Sequence, residues 1–427
     1  MTEREELRAS VAGGGCDRLL QQLYGEQGVR AARQRIEQVL EQFAVAFPQR
    51  TEAVLFSAPG RTEMGGNHTD HQHGHVLCAG VDLDILACAS PGDPETIRLR
   101  SEGYPEVVVD LGDLTVHDEE RGTSAALVRG VCAGIAARGH AVRGFDGYAM
   151  STVPAGAGLS SSAAYEVLVG QIINHFSCAD ALDAVTIAQI GQYAENVYFG
   201  KPSGLMDQMG SAVGAAAAID FKDPEHPVVE KICCNLEQAG YTLCIVDTGS
   251  SHADLTEDYA AITREMGAVA ACFGCRFLRE VPEEEFHAAI PALRRACGDR
   301  AILRAMHYYG DDRRAAAEAA ALRSGAYEDF FRLVNESGLS SALLLQNTCP
   351  ASNPRQQAIP LCLALGRELL AGRGAIRVHG GGFAGTIQAY VPLEQQVSFR
   401  TGMETVTGPG SCYFLHIRPV GGGRILG

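Results

Sequence analysis

The chain has 427 residues, enough for two or three domains and a sizeable core, and a formal net charge of -16. Acidity on this scale argues against docking on nucleic-acid phosphates or anionic membrane surfaces, while leaving room for a local anion site. Its 14 cysteines are spread along the whole length; with no apolar signal core in MTEREELRAS and no apolar run of membrane-spanning length, they read as reduced thiols of a cytoplasmic protein, not a secreted disulfide framework.

Residues 1–46 are polar with apolar positions at helical spacing, which predicts helix. AVLFSAPGR is an apolar strand ending at Pro-Gly, and HVLCAGVDLDILACAS, rich in Val, Leu and Ile, reads as a second strand pair. IRLRSEGYPEVVVDL predicts a hairpin about a Gly-Tyr-Pro turn. Residues 123–138 read as helix, GFDGYAMSTV as strand, and SSSAAYEVLVGQIINHF as a helix opened by hydroxyl residues. Another helix, about residues 182–198, leads into GKPSGLMDQMG. GYTLCIVDTG is a strand, and helices follow to about residue 347. GAIRVHGGGFAGTIQAYVP reads as strand, glycine-rich turn, then strand or helix, and CYFLHIRPV as a last strand. The pattern is α+β. Two domains are expected, residues 1–215 and 216–427, divided where the alanine-rich GSAVGAAAAIDF opens a second run of strands and helices; one large domain is the plain alternative.

The most informative segment is VPAGAGLSSSAAYEV. Gly156 and Gly158 allow a tight turn and close approach to a ligand. Ser160, Ser161 and Ser162 then open a helix, whose first turn offers unpaired N–H groups and the positive end of the dipole, a site that suits phosphate. An ordinary serine cap needs only one of the three. The segment is neither a Walker loop, since no G-K-[ST] follows, nor the G-x-G-x-x-G dinucleotide fingerprint. In YAENVYFGKPSGLMDQ, Glu195 lies on a predicted helix and Asp207 follows a Pro-Ser-Gly turn. Beside a phosphate site, one such carboxylate could orient or deprotonate a hydroxyl and the other hold Mg²⁺; two solvated acids are the plain alternative. VHGGGFAG is either a close backbone approach or a simple tight turn. Cys272 and Cys275 form a C-x-x-C without a second pair, and read as free thiols.

In order, APGR with GNHTDHQHG, then PAGAGLSSSAA, GLMDQ and GGGFAG resemble the GHMP kinases, the superfamily of galactokinase, homoserine kinase, mevalonate kinase and phosphomevalonate kinase. The first segment is similar specifically to the galactokinase signature G-R-x-N-L-I-G-E-H-T-D-Y-N-x-G. The resemblance covers about residues 45–420. It implies the two-domain GHMP kinase fold, with an N-terminal ribosomal-protein-S5-like domain and a C-terminal ferredoxin-like domain. It implies transfer of the γ-phosphoryl group of ATP to the anomeric hydroxyl of galactose or a close relative, with Mg²⁺. By the same resemblance, Gly156, Ala157, Gly158, Ser160, Ser161 and Ser162 cradle the nucleotide phosphates, and Ser161 and Glu195 hold Mg²⁺. Asp207 faces the anomeric hydroxyl as base or orienter, with Arg61 beside it. Asn67, His68, Asp70, Gly204 and Tyr259 serve the sugar, Asp70 through ring hydroxyls and Tyr259 at the family's spacing after His252. The expected partners are therefore a sugar and ATP, with a monomer as the default state.

The histidine-rich GNHTDHQHGH would on this footing be a sugar-gripping loop; its His68, Asp70, His71, His73 and His75 could otherwise suggest a transition-metal site. Departures matter for the substrate. Asn67 stands where the family has the glutamate that grips the galactose C6 hydroxyl, and Glu63 stands where it has asparagine. An amide in place of that carboxylate would weaken galactose and favour a C6 carboxylate, as in galacturonate; the plant galacturonokinase loop is locally similar. Arabinose, lacking C6, is a third option. His71 and Gln72 replace Tyr and Asn, Ala384 replaces a glycine, and Gly338 replaces a histidine of the C-terminal half. A non-catalytic sugar sensor on the same fold is the reading from another class, which the intact Arg61, Ser160–Ser162, Glu195 and Asp207 argue against.

Overall fold

The computed structural model describes residues 3–154, 158–250 and 255–426. Two helices come first, α1 (Glu3–Ala12) and α2 (Asp17–Ala46), the latter kinked at Gly25. Strands β1 (Val54–Gly65) and β2 (His75–Pro91) form a long antiparallel pair, followed by the hairpin β3 (Thr96–Ser101) and β4 (Val107–Asp110). Helix α3 (Ser124–Ala136), strand β5 (Phe145–Ser151), helices α4 (Ser161–Cys178), α5 (Ala184–Tyr193) and α6 (Met206–Val213), and strands β6 (Ala216–Asp220) and β7 (Val228–Ile232) come next. Strand β8 (Tyr241–Ser250) precedes helices α7 (Thr256–Ala271), α8 (Glu283–Cys297), α9 (Asp299–Ser324), α10 (Tyr327–Ser340) and α11 (Ala358–Leu370). The chain ends with β9 (Ala375–Val378), β10 (Gly385–Pro392), α12 (Gln396–Thr407), β11 (Cys412–Leu415) and β12 (Gly423–Leu426).

The strands form two sheets. The first runs β12-β1-β2-β5-β3-β4, with β6 pairing the free half of β2 and β7 pairing β6; the second runs β11-β8-β10-β9. The fold is α+β, as the segment order implied. The division expected at residue 215 does not separate the sheets: β6, β7 and β12 all belong to the first sheet, because β2 is long enough to pair β5 along one half and β6 along the other. The C-terminal strand β12 returns to the edge of β1. A buried charge cluster anchors this return: Asp84 on β2 accepts from Tyr24 at 2.6 Å and Arg35 at 2.8 Å and meets Arg418 at 3.2 Å.

Burial explains the layers. Helices α3, α4, α5 and α6 cover one face of the first sheet, where Val128, Val167, Ile172 and Met209 join Phe56, Leu77 and Ile97 in the largest apolar core. The other face of β1 and β2 buries Leu55, Leu86 and Cys88 against α2 residues Ile36, Val39 and Phe43. Helices α11 and α12 cover the second sheet with Cys362, Phe399 and Met403 over Val246, Ile376 and Ile387. Among the described residues no helix is long and apolar enough to cross a membrane.

Candidate active site

Three chain segments meet at Arg61 and Asp207. Arg61 lies on β1, and its backbone N–H donates to the Leu159 carbonyl at 3.0 Å, which fastens the strand to the end of the glycine-serine loop. The loop comes this close because position 60 is glycine; a Cβ there would sit 2.9 Å from that carbonyl. Arg61 Nε and Nη2 both lie against Asp207 Oδ1, at 2.8 and 2.7 Å, and Nη1 donates to the Gly158 carbonyl at 2.5 Å. Asp207 sits in the first turn of α6, where the dipole favours a negative charge. Its second oxygen, Oδ2, accepts from Ser160 Oγ at 2.7 Å. Burial alone would raise the Asp207 carboxyl, but the Arg61 guanidinium and the Ser160 hydroxyl outweigh it, and the group sits below the usual aspartate range.

Ser160 is the residue before α4 yet does not cap it. Its φ of 54° and ψ of 62° are left-handed, and its hydroxyl is turned to Asp207. The first N–H groups of α4 therefore receive no bond from the side chain that would ordinarily take them, which leaves an anion-binding helix end beside Asp207. Gly156 and Ala157 lie outside the described residues. Gly158 packs on the third loop: a Cβ there would lie 2.8 Å from Thr386 Oγ1 and 3.1 Å from His379 Nδ1. Buried His379 bridges Thr386 at 3.0 Å and Thr62 at 3.1 Å, and burial beside Arg61 keeps it neutral. The glycine-rich third segment thus backs the first two.

The serine hydroxyl that meets Glu195 is that of Ser162, at 3.1 Å. Glu195 lies on a π-helical turn, Ala194–Phe199, which extends α5. Its Oε1 also receives Lys201 Nζ at 2.9 Å and its Oε2 receives Gln208 Nε2 at 2.9 Å. The same Gln208 nitrogen reaches Glu166 Oε2 at 2.9 Å, while Glu166 Oε1 and Gln208 Oε1 are buried without a protein partner. Burial and the neighbouring Glu195 push the Glu166 carboxyl well up. Lys201, Gln208 and Glu166 were not singled out from the sequence. Two signals were available: Gln208 adjoins Asp207, and Glu166 follows Ser162 by one helical turn.

The histidine loop scatters its rings. Half-buried His68, at φ 61°, places Nε2 2.9 Å from the Gly381 carbonyl, so that nitrogen carries the proton, and desolvation pushes its pKa down to about 3. His71 stacks over His68 at 6.0 Å, His73 stacks on Phe277 at 3.7 Å, and His75 lies between Asp312 at 3.0 Å and Asp220 at 3.3 Å. Each imidazole has its own neighbour and no ring nitrogens converge on a common point. Asp70 and Gly204 do come together, since a Cβ on Gly204 would sit 1.9 Å from Asp70 Oδ2. A cleft of about 450 Å³ opens beside them, lined also by His71, His73, Gln192 and Ser203. Arg61, His68, Asp207 and Tyr259 do not line it. Tyr259 gives its hydroxyl to the Gly382 carbonyl at 2.8 Å and presses its ring on Gly381, where a Cβ would lie 2.6 Å away, so it braces the third loop. His252 lies outside the described residues.

Asn67, expected against the sugar, faces inward among protein partners. It is fully buried, and its amide is saturated: Nδ2 donates to Glu63 Oε1 at 2.9 Å and to the Gly380 carbonyl at 2.7 Å, while Oδ1 accepts from Ser341 at 3.2 Å and Asn347 at 2.8 Å. Glu63 in turn pairs with buried Arg377. The two departures from the signature, glutamate at 63 and asparagine at 67, are therefore one exchange between side chains in contact.

A carboxylate held by an arginine and a serine thus lies beside the N-terminus of α4, and the chain's relatives give the class. Residues 41–91 match the galactokinase galactose-binding signature, and residues 126–215 match the GHMP kinases N terminal domain. A galactokinase of Streptomyces coelicolor is 32% identical over 351 residues, which span 81% of this chain and 86% of that protein. The crystal structure of Lactococcus lactis galactokinase complexed with galactose superimposes with a TM-score of 0.75 at 24% identity, covering 90% of this chain and 98% of the other. Methanococcus jannaschii mevalonate kinase does so at 0.60 and 14% identity, covering 86% and 99%. The class is a GHMP-fold kinase. Within it the chain belongs to the galactokinase family, and is an ATP-dependent sugar kinase.

Proposed function

We propose that the chain transfers the γ-phosphoryl group of ATP to the anomeric hydroxyl of galactose. The observation that carries this reading is the Asp207 carboxylate, held ionised by Arg61 and Ser160 beside the open N-terminus of α4. In that setting Asp207 accepts a hydrogen bond from the acceptor hydroxyl and takes its proton as the oxygen attacks phosphorus. Arg61 keeps Asp207 charged and offsets the negative charge that builds on the transferring group. The α4 N-terminus and Gly158 receive the nucleotide phosphates. Asp70 and Gly204 form the sugar side, with His68 held neutral and its Nδ1 lone pair free of the proton.

Glu195 and Ser162 offer oxygen donors next to the orphaned Glu166 Oε1 and Gln208 Oε1, a hard, oxygen-only set that fits Mg²⁺. When bound, Mg²⁺ supplies charge neutralisation on the β- and γ-phosphates. The expectation of galacturonate or arabinose rested on a lost carboxylate at position 67. Asn67 is fully buried on protein partners, so its identity gives no ground for preferring those alternatives to galactose, the sugar of the family. The 14 cysteines show no disulfide among the described residues, which fits a reducing compartment such as the cytoplasm.

The test is an ADP-release assay with Mg²⁺ and ATP against galactose, galacturonate, arabinose and N-acetylgalactosamine. Turnover on galactose well above the other three is expected. Turnover on galacturonate alone would sink the substrate assignment.

A further inference from the structure

The chain carries only 3 lysines among 35 Lys and Arg residues, and one of them, Lys201, pairs with Glu195. Its position is fixed by the backbone. The N–H groups of Gly200 and Lys201 both donate to the Glu195 carbonyl, at 3.0 and 3.1 Å, and Ser203 N–H is held by Asn196 Oδ1 at 2.7 Å. The Lys201 ammonium reaches Glu195 Oε1 at 2.9 Å, on the same oxygen that Ser162 approaches. Its side chain is 56% exposed while that of Glu195 is 1% exposed. The lysine is thus open to solvent on one side and its partner is buried.

The two cations at the site differ in kind. Arg61 is buried and committed through Nε, Nη1 and Nη2 to Asp207 and Gly158. Lys201 is a compact charge on a flexible stem, able to follow a group that changes position. A phosphoryl group in transit must lie between the hydroxyl that Asp207 orients and the cation lobe of Glu195 and Ser162. Lys201 stands at the Glu195 end of that path, its ammonium 2.9 Å from Oε1. Glu195 Oε1 cannot serve the ammonium and a divalent cation at one point, so if Glu195 and Ser162 held the metal, Lys201 would turn from Glu195 toward the phosphate.

We propose that Lys201 binds the γ-phosphoryl group of ATP, leaving Glu195 when the nucleotide and its metal arrive. This rests on the reading of Ser162 and Glu195 as the metal lobe. It makes Lys201 a substrate-touching residue of the transfer, in addition to Arg61 and Asp207.

The test compares a nucleotide that has a γ-phosphate with one that lacks it. Binding of AMPPNP and of ADP, each with Mg²⁺, is measured by calorimetry on the full chain as wild type, Lys201→Met and Lys201→Arg. Lys201→Met should weaken AMPPNP about 10-fold, as expected for one charge-assisted hydrogen bond, and leave ADP within about 2-fold. Lys201→Arg should recover part of the loss, and melting temperatures should agree among the three. Equal weakening of AMPPNP and ADP, or no weakening of either, overturns the proposal. The metal reading has its own control. If wild-type AMPPNP binding is the same with and without Mg²⁺, Glu195 is not a metal lobe, while the AMPPNP-to-ADP comparison still decides the role of Lys201.

Discussion

Arg61 Nε lies 2.8 Å from Asp207 Oδ1, joining a strand and a helix 146 residues apart in the chain. The pair sets the charge at the centre of the site. Asp207→Asn keeps the shape and the Ser160 contact but removes the proton acceptor. Turnover should fall about a thousandfold, the scale of lost general-base assistance, with an unchanged circular dichroism spectrum. Full turnover in this variant would remove Asp207 from the chemistry. The pH dependence has a definite sign. A carboxyl depressed in the folded state contributes stability above its unfolded value, near about pH 4, and loses it as pH falls through the folded value. Asp207 is therefore ionised throughout the neutral range, and no fall in kcat above about pH 5 should trace to it.

Ser160 offers a way to separate hydroxyl from backbone. Its left-handed conformation suits glycine and strains any other residue by about 1 kcal/mol. Ser160→Ala loses the bond to Asp207 and keeps the strain; Ser160→Gly loses the bond and relieves it. Both should lose turnover alike, about 10-fold for one hydrogen bond to a charged group. Only the glycine variant should gain in melting temperature. A glycine variant with wild-type turnover would show that the hydroxyl is idle and that the backbone alone matters.

Much of this site was legible before any coordinates. Arg61, Ser160, Glu195 and Asp207 sit in short motifs whose residue types carry their chemistry, and the structure gathers them around β1, α4 and α6. Of the first sheet, β1, β3, β4 and β5 were legible; β2 is one long strand where a strand pair was expected, and the alanine-rich β6 and the short β7 and β12 carry no strand pattern of their own. What the sequence hid were long-range pairings. That Ser162 meets Glu195 depends on the rotation of α4 against the Glu195 turn, which no local pattern records. Asn67 looked like a ligand contact because its motif is one; its inward rotation depends on Ser341 and Asn347, some 280 residues away. The place of β12 on the edge of β1 depends likewise on the far end of the chain.

His75 links β2 to α9 and gives the fold a measurable response to pH. Its hydrogen bond to Asp312 raises its pKa above 6.5, burial opposes this, and Asp220 adds to it while Arg279 subtracts. A histidine raised in the folded state contributes stability that is fully present below its unfolded value, about 6.5, and is lost as pH rises through the folded value. The side chain is 29% exposed, so the effect is small, about 1 kcal/mol or less. Urea unfolding at pH 6 and pH 8 should show wild type losing more stability over that interval than His75→Gln. An equal loss in both would mean the imidazole is not charged in the folded protein.

The exchange of Glu63 and Asn67 yields the sharpest expectation. The galactokinase signature has asparagine at the first place and glutamate at the second; this chain reverses them, and the two side chains hydrogen-bond at 2.9 Å. Asn67→Glu alone would set two carboxylates against each other in a site where both residues are nearly fully buried. Burial already pushes the Glu63 carboxyl up to about 7 against the pull of Arg377, so a second acid can ionise only at a cost. Glu63→Asn alone would strip buried Arg377 of its carboxylate, a loss of about 3 kcal/mol. Both single variants should unfold at lower urea concentration than wild type. The double variant Glu63→Asn with Asn67→Glu restores one acid and one amide to the same contact, and should recover most of the loss, with a coupling of about 2 kcal/mol. Additive losses in the double variant would mean that the two positions are independent. The same protein decides the substrate question, because it carries the carboxylate at the family's position in a folded background. If position 67 bears on C6, the preference for galactose over galacturonate must rise in the double variant. An unchanged preference would assign the Glu63–Asn67 pair to the packing of β1 against the third loop and place sugar selection with Asp70, His68 and Gly204.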